Sequence, residues 1–152
     1  MLYGLLPPSG IQEIKSAATV TNWLSSGLQS VLPENVKPDL LKLALSGHSR
    51  GGKTAFALAL GYADTSLNFS ALLGLDPVGG LNDHLSGCIG AISGYICKSG
   101  KGPRDPMRRC VGGLFVAFLK AYLEGQSGDF KAIVDEPDLA PVKLDPVEFI
   151  EA

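Results

Sequence analysis

The first regular pattern along the chain is a run of apolar residues at helical spacing between positions 9 and 32. Apolar side chains recur there every three or four residues, which places them on one face of a helix. Ser9 and Gln12 have the spacing of a capping box, in which each side chain satisfies a backbone group at the helix start. Pro33 lacks the backbone N–H that a helix needs and ends the pattern. We therefore predict a long amphipathic helix over residues 9–32.

Two short apolar runs follow, with a second helical pattern between them. Residues 41–45 (LKLAL) and 70–75 (SALLGL) are typical of short buried strands, and residues 54–60 are typical of a compact apolar helix. The order helix, strand, helix, strand predicts right-handed crossovers on a mostly parallel sheet. The carboxyl ends of the two strands then share one edge, so we expect Ser49 and Asp76 to lie at the same edge.

The rest of the chain has one further clear element. Residues 111–124 (VGGLFVAFLKAYLE) predict a helix with a broad apolar face, and Gly125 suits the left-handed conformation that often ends a helix. Residues 89–96 form a short apolar run that is long enough for a strand. The acidic tail 126–152 contains three prolines and predicts one edge strand or none.

Gly47, Ser49 and Gly51 form the pattern G-x-S-x-G directly after the first predicted strand. In a nucleophile elbow this pattern marks a sharp strand-to-helix turn that presents the serine at its tip. Flanking glycines let neighbouring backbones pass without a Cβ clash. The strand, the motif and the helix stand in the required order, so the elbow at 47–51 nominates Ser49 as a nucleophile. The alternative is a plain glycine-rich turn.

Composition narrows the class of protein. The chain has 152 residues, of which 45% are hydrophobic and 18% charged, which is typical of a globular domain with a buried core. A net charge of −2 with scattered basic residues gives no footprint for nucleic acid. The sequence contains no apolar stretch of membrane-spanning length and no secretory signal pattern at its start. Cys88, Cys97 and Cys110 lack metal-site or redox spacing, so we expect free thiols.

The same glycines also allow a different interpretation. Residues 47–54 (GHSRGGKT) match the phosphate-loop pattern G-x-x-x-x-G-K-[ST], in which backbone N–H groups cradle a nucleotide's phosphates. Asp76, at the end of the next strand, would then occupy the position of a magnesium-binding aspartate. A nucleotide-binding protein is therefore the rival hypothesis at this motif.

Longer segments carry a family resemblance. GHSRGGKTAFALALG, SALLGLDPV, YGLLPPSG and YICKSGKGPRDPMRRCVGG resemble consecutive regions of the plant chlorophyllases. The resemblance implies an α/β-hydrolase that cleaves the phytyl ester of chlorophyll, and it covers nearly the whole chain. The family is considerably longer. We therefore expect residues 1–152 to form a single incomplete α/β-hydrolase domain, a truncated form without the early strands and the histidine loop of the family.

The resemblance also implies roles for individual residues. Ser49 matches the family's nucleophile, and the backbone N–H of Arg50 would supply one oxyanion donor. Asp76 is the candidate acid of the triad, with Asp83 as the fallback. An aspartate before a proline also often only opens a turn, which is the alternative interpretation of Asp76.

The catalytic base is the weakest part of the resemblance. A serine needs an imidazole within hydrogen-bond reach, and the chain has two histidines, His48 and His84. His48 is expected to leave the turn in a different direction from Ser49. In the family, the catalytic histidine lies on a long segment that this chain replaces with residues 79–94. His84 is therefore the candidate substitute base, with a solvent-exposed turn residue as the alternative.

The resemblance implies a chlorophyllase-like carboxylic ester hydrolase, and the missing parts predict strongly reduced or no activity for this chain. The resemblance implies chlorophyll or a related phytyl ester as the partner and no cofactor or protein-bound metal, since the magnesium belongs to the substrate. It places the protein in the chloroplast or cytoplasm of a plant cell and leaves peripheral membrane association and oligomeric state open. The alternative, besides a nucleotide binder, is a catalytically inactive product that binds a hydrophobic ligand or partner.

Overall fold

The computed structural model describes residues 10–77, 103–144 and 147–150. Its contacts divide the chain into two compact units, Met1–Lys98 and Ser99–Ala152, and each unit is described by itself. The strand expected at 89–96 lies outside the described residues. The single-domain organisation stays a prediction.

The first unit is an α/β arrangement that begins with helix α1, Gly10–Val31. This helix agrees with the prediction for residues 9–32. Its buried side chains Ile14 and Ala18 pack against Ala57 and Leu58 of the next helix, and these four residues form the core of the unit. Leu58 is the largest side chain in the described residues that is almost fully buried. Part of the predicted apolar face of α1 therefore covers the second helix, whereas Ile11, Trp23 and Val31 of the same pattern are exposed.

The sheet consists of two parallel strands, β1 (Ala44–His48) and β2 (Ala71–Leu75). Their register pairs Ala44 with Ala71 and His48 with Leu75. A parallel pair needs a crossover connection, and helix α2 (Arg50–Ala59) lies in that connection. The α/β class and the parallel sheet flanked by helices are as the sequence predicts.

Strand β1 begins later and ends later than the predicted strand 41–45. Asp39 accounts for the late start, because its side-chain Oδ1 accepts a hydrogen bond from the Leu41 N–H at 3.0 Å and its carbonyl accepts one from Lys42 at 3.2 Å. These bonds fold the backbone into a turn, a common role for aspartate. Leu41 is consequently 90% exposed rather than part of the sheet.

Helix α2 begins at Arg50, four residues before the predicted start at position 54. The turn between β1 and α2 consists of Ser49 alone, and Gly51 and Gly52 therefore belong to the helix. After α2, the loop to β2 is held by Asn22 of α1. Its amide nitrogen donates to the Asp64 carbonyl at 3.2 Å, and its amide oxygen accepts from the Ser66 N–H at 2.6 Å.

The second unit is helical in its described part. Helix α3 spans Arg104–Glu124 and starts seven residues before the predicted 111, since Pro106 lies in its first turn, where a missing N–H costs nothing. Gly125 ends it with φ 73°, as predicted. Helix α4 (Gly128–Asp135) and a 3₁₀ turn (Pro137–Leu139) follow in the tail, where the sequence predicts an edge strand or no element. Aromatic rings join α3, α4 and the segment 147–150: Phe118, Tyr122, Phe130 and Phe149.

Candidate active site

Ser49 is the one residue between the end of β1 at His48 and the start of α2 at Arg50. Its backbone has φ 52° and ψ −119°, a conformation that costs about 1–3 kcal/mol for a residue with a Cβ. The chain thus reverses from strand to helix over a single strained residue. This is the sharp turn that the G-x-S-x-G pattern predicts, with Ser49 half-buried at its tip.

Two glycines allow the backbones around this turn to approach closely. A Cβ on Gly47 would clash with the backbone carbonyl of Gly51 and lie 2.6 Å from the Gly52 nitrogen. A Cβ on Gly52 would lie 2.9 Å from the Gly47 carbonyl oxygen and 3.0 Å from a side-chain carbon of Pro77. A Cβ on Gly51 would meet no atom within 4 Å. The turn therefore requires the glycines at 47 and 52, whereas the motif glycine at 51 is sterically dispensable.

The end of β2 holds the turn from the other side. The Ser49 N–H donates a 2.9 Å hydrogen bond to the carbonyl oxygen of Leu75, the residue before Asp76. Asp76 has φ 46°, and it and Ser49 are the two non-glycine residues with positive φ in the described part of the chain. Both therefore lie at the carboxyl edge of the sheet, as the sequence predicts, and Asp76 is exposed there.

Helix α2 is anchored at its first residue. The Lys53 N–H donates to the Ser49 carbonyl at 3.2 Å, which starts the helical ladder, and the Thr54 hydroxyl donates to the Arg50 carbonyl at 3.1 Å. The Arg50 side chain extends to α1, where its Nε–H donates to Glu13 Oε2 at 2.8 Å and its Nη2 contacts Glu13 Oε1. This ion pair joins residues 37 positions apart.

Sequence reasoning did not identify Glu13 as a partner of the site. One signal for such a partner exists in the sequence. Arg50 places a positive charge at the positive end of the helix dipole, and the first turn of α2 contains no acidic residue to compensate. A carboxylate from elsewhere in the chain is then favourable, although the sequence does not say which one.

Of the two candidate bases, the structure describes His48. His48 is the last residue of β1 and is exposed. His84 and Asp83 lie outside the described residues, so the role of His84 as base and of Asp83 as fallback acid stay predictions. The structure brings Ser49, the Arg50 N–H and Asp76 to one edge and leaves the base unassigned.

The geometry does not form a phosphate loop. In that motif the residues between the two glycines form a loop that wraps around the phosphates. Here His48 belongs to β1 and Arg50 already belongs to α2, so one residue remains for a loop. The literal match of residues 47–54 to the nucleotide-binding pattern is therefore not accompanied by the structure that the pattern requires.

A cavity of about 490 Å³ lies beside the turn, but neither Ser49 nor Asp76 lines it. Glu13 and Ala17 of α1, Leu45 and Ser46 of β1, and several residues of α2 form its walls. In the part of the chain that the structure describes, no three His, Cys, Asp or Glu residues are grouped to hold a metal ion. No helix within the described ranges is long and apolar enough to cross a membrane.

A parallel strand pair, a crossover helix and a serine at a one-residue strand-to-helix turn have the arrangement of the nucleophile elbow of an α/β-hydrolase. The chain belongs to the chlorophyllase family, whose model matches residues 1–83 and 79–151.

Curated relatives agree with this family. The chain is 35% identical to "Chlorophyllase-1, chloroplastic" of Citrus unshiu, over 96% of its own length and 65% of the relative's. It is 32% identical to Chlorophyllase-1 of Arabidopsis thaliana, with 97% and 69% covered, and 34% identical to Chlorophyllase-2 of the same plant, with 98% and 71% covered. The chain thus spans about two thirds of the length of these relatives.

The relatives also contain internal residues that this chain lacks. The alignment with the Citrus protein extends over 219 positions, whereas the chain has 152 residues. The two family matches overlap at residues 79–83, which places the interruption between the end of β2 at Leu75 and His84. This agrees with the interpretation that a long family segment is missing between Val78 and Tyr95.

Proposed function

We propose that this chain has a chlorophyllase-type site for carboxylic ester hydrolysis, with chlorophyll or a related phytyl ester as substrate and chlorophyllide and phytol as products. The observation that carries the proposal is the strained turn at Ser49, held by the hydrogen bond from its N–H to the Leu75 carbonyl. The chlorophyllase names of the relatives support the substrate class. The turn supports the role of Ser49 as nucleophile.

In the first step the Ser49 hydroxyl oxygen attacks the ester carbonyl and gives up its proton to a base. A tetrahedral oxyanion forms, and the Arg50 N–H, the first of helix α2, is the proposed donor to it. The bond to the phytyl oxygen then breaks, phytol leaves with the proton, and an acyl-enzyme remains. Water hydrolyses the acyl-enzyme in the reverse sense and releases chlorophyllide. Asp76 is the proposed acid that orients the base.

The base sets the rate in this proposal. The missing family segment is the one to which the resemblance assigns the catalytic histidine, and His84 follows the interruption directly. We propose His84 as the substitute base, placed one residue after the fallback acid Asp83. Removing a triad member costs several powers of ten in rate while leaving oxyanion stabilisation in place. We therefore expect Ser49 to react with activated electrophiles, and turnover of chlorophyll to be slow.

The compartment is part of the same proposal. Two Citrus relatives carry the word chloroplastic in their names, which supports the chloroplast over the cytoplasm for this chain. Peripheral association with a membrane would bring the protein to an apolar substrate. Exposed Leu60 and Tyr62 directly after α2 are suited to that contact.

A serine-reactive fluorophosphonate probe tests the proposal. The purified chain is incubated with the probe, the modified residue is located by mass spectrometry, and Ser49→Ala is the control. Circular dichroism of both proteins shows that they are folded. Chlorophyllide release from chlorophyll is measured by chromatography on the same samples.

Labelling at Ser49 that is lost in Ser49→Ala supports the assembled nucleophile, and chlorophyllide release that is lost with it supports the full reaction. Labelling without release shows a reactive Ser49 in a chain that does not complete the turnover of chlorophyll. A folded chain that is not labelled overturns the proposal and favours a catalytically inactive protein that binds a hydrophobic ligand or partner.

A further inference from the structure

Helix α2 is attached to helix α1 at two separate places. Ala57 and Leu58 near its end pack against Ile14 and Ala18 of α1. Arg50 at its start is bound by Glu13, which directly precedes Ile14 in α1. The apolar contact holds the distal half of α2, while the ion pair holds the residue that follows the nucleophile.

The ion pair has the geometry of a specific contact. The Arg50 guanidinium presents two nitrogens to the two carboxylate oxygens of Glu13, and such bidentate pairs are directional as well as stronger than single charged hydrogen bonds. The Glu13 side chain is 22% exposed and that of Arg50 is 45% exposed. Partly exposed ion pairs contribute little to the free energy of unfolding, so we do not expect this pair to serve mainly to stabilise the fold.

We propose that Glu13 is a positioning residue for the reaction at Ser49, acting through the Arg50 side chain on the orientation of the Arg50 backbone N–H. This inference rests on the proposed function. The backbone N–H and the guanidinium of Arg50 belong to the same residue. A carboxylate that binds the guanidinium therefore restricts the rotation of the first turn of α2, and with it the direction of the N–H. Preorganised donors stabilise an oxyanion only when their direction is set before the reaction.

The negative charge of Glu13 has an opposite effect on the rate of the reaction at Ser49, because it neutralises the Arg50 guanidinium. A guanidinium without its carboxylate partner would add positive potential near the developing oxyanion. If this effect dominated, loss of Glu13 would accelerate the reaction of Ser49. The positioning effect dominates in our proposal, because a small misplacement of a catalytic group costs up to about a hundredfold in rate.

The test uses the full chain and the variants Glu13→Ala and Glu13→Gln, with Glu34→Ala as the matched control. Glu34 is exposed in the loop after α1. Three quantities are measured: the second-order rate constant of fluorophosphonate labelling at Ser49, amide hydrogen exchange of Ser49 and Lys53, and the midpoint of thermal unfolding. We expect Glu13→Ala to lower the labelling rate by about tenfold. Exchange at Lys53 should accelerate, while the unfolding midpoint stays within the range of the Glu34→Ala control.

A double-mutant cycle shows whether Glu13 acts through Arg50. In an Arg50→Ala background, which keeps the backbone N–H, Glu13→Ala should have no further effect on the labelling rate. A full additional effect in that background, an unchanged rate in Glu13→Ala with unchanged exchange, or a faster rate in Glu13→Gln would each overturn the proposal.

The exchange measurement separates this inference from the proposed function. If Ser49 of the natural chain is not labelled, the proposed function fails. Faster exchange at Ser49 and Lys53 in Glu13→Ala would still support Glu13 as the residue that positions the turn. Unchanged exchange in that case would overturn the inference as well.

Discussion

The Ser49 N–H donates a 2.9 Å hydrogen bond to the Leu75 carbonyl, which joins the first residue after β1 to the last residue of β2. The bond continues the parallel sheet by one step at the point where both strands end. The next residue, Asp76, takes a positive φ as Ser49 does. The two residues to which we assign the nucleophile and the acid are therefore the two strained positions at one edge of the sheet.

The strained backbone at Ser49 is predicted to lower the free energy of unfolding, while the serine hydroxyl at that position is required for labelling. Glycine adopts φ 52° without a Cβ penalty, so we expect Ser49→Gly to be more stable than Ser49→Ala by roughly 1 kcal/mol. Both variants should lose fluorophosphonate labelling. Urea unfolding followed by circular dichroism measures the difference, and equal stability of the two variants would contradict a strained turn.

The glycines of the turn are predicted to differ in their tolerance of alanine. Gly52→Ala places a Cβ against the Gly47 carbonyl and Pro77, and we expect a loss of about 1–3 kcal/mol, the usual cost of an overpacked site. Gly47→Ala should cost at least as much, since its Cβ would meet backbone atoms on α2. The free energy of unfolding in urea is the measurement.

Gly51→Ala is the matched control for these two variants. Its Cβ would point into open space within a helix, where alanine is favoured over glycine by up to about 1 kcal/mol. We expect unchanged or increased stability and normal labelling at Ser49. A large loss of stability in Gly51→Ala would mean that the motif glycine has a role other than steric clearance.

Asn22 is predicted to hold the loop between α2 and β2. Asn22→Ala removes the hydrogen bonds to Asp64 and Ser66, and each typically contributes about 0.5–1.5 kcal/mol. Hydrogen exchange at Ser66 should accelerate more than exchange in α1. Asn68→Ala in the same loop is the control, and equal effects of the two variants would argue against a specific clasp by Asn22.

The small core of the first unit is predicted to depend on Leu58. This side chain is 1% exposed, and Leu58→Ala should destabilise the unit by about 2–5 kcal/mol through lost burial and a residual cavity. Leu60 lies two residues later and is 75% exposed, so Leu60→Ala should change stability by less than about 0.5 kcal/mol. Thermal unfolding of the two variants side by side checks the contrast.

Local pattern was sufficient for the order and type of the elements in the first unit. Burial of one helix face requires apolar residues at a 3.6-residue spacing, and burial of a strand requires a short apolar run. Both patterns are visible in the sequence itself. Boundaries were less predictable. The hydrogen bond from the Leu41 N–H to the Asp39 side chain folds a turn, so Leu41 is not part of β1. Pro106 lies within α3 because a proline in the first turn of a helix loses no hydrogen bond.

The sequence by itself determined the parallel α/β arrangement and the serine turn, because these follow from hydrophobic periodicity and from residues that are neighbours in the chain. It also indicated the family, through the resemblance of longer segments to the chlorophyllases. Only the tertiary structure decided that the Ser49 N–H donates to the Leu75 carbonyl and that Glu13 binds the Arg50 side chain. It also decided that Gly52, and not Gly51, is the glycine whose missing Cβ lets the backbones approach. These contacts join residues on different elements. Their formation depends on the register of two strands and the packing of two helices, which a one-dimensional pattern does not specify.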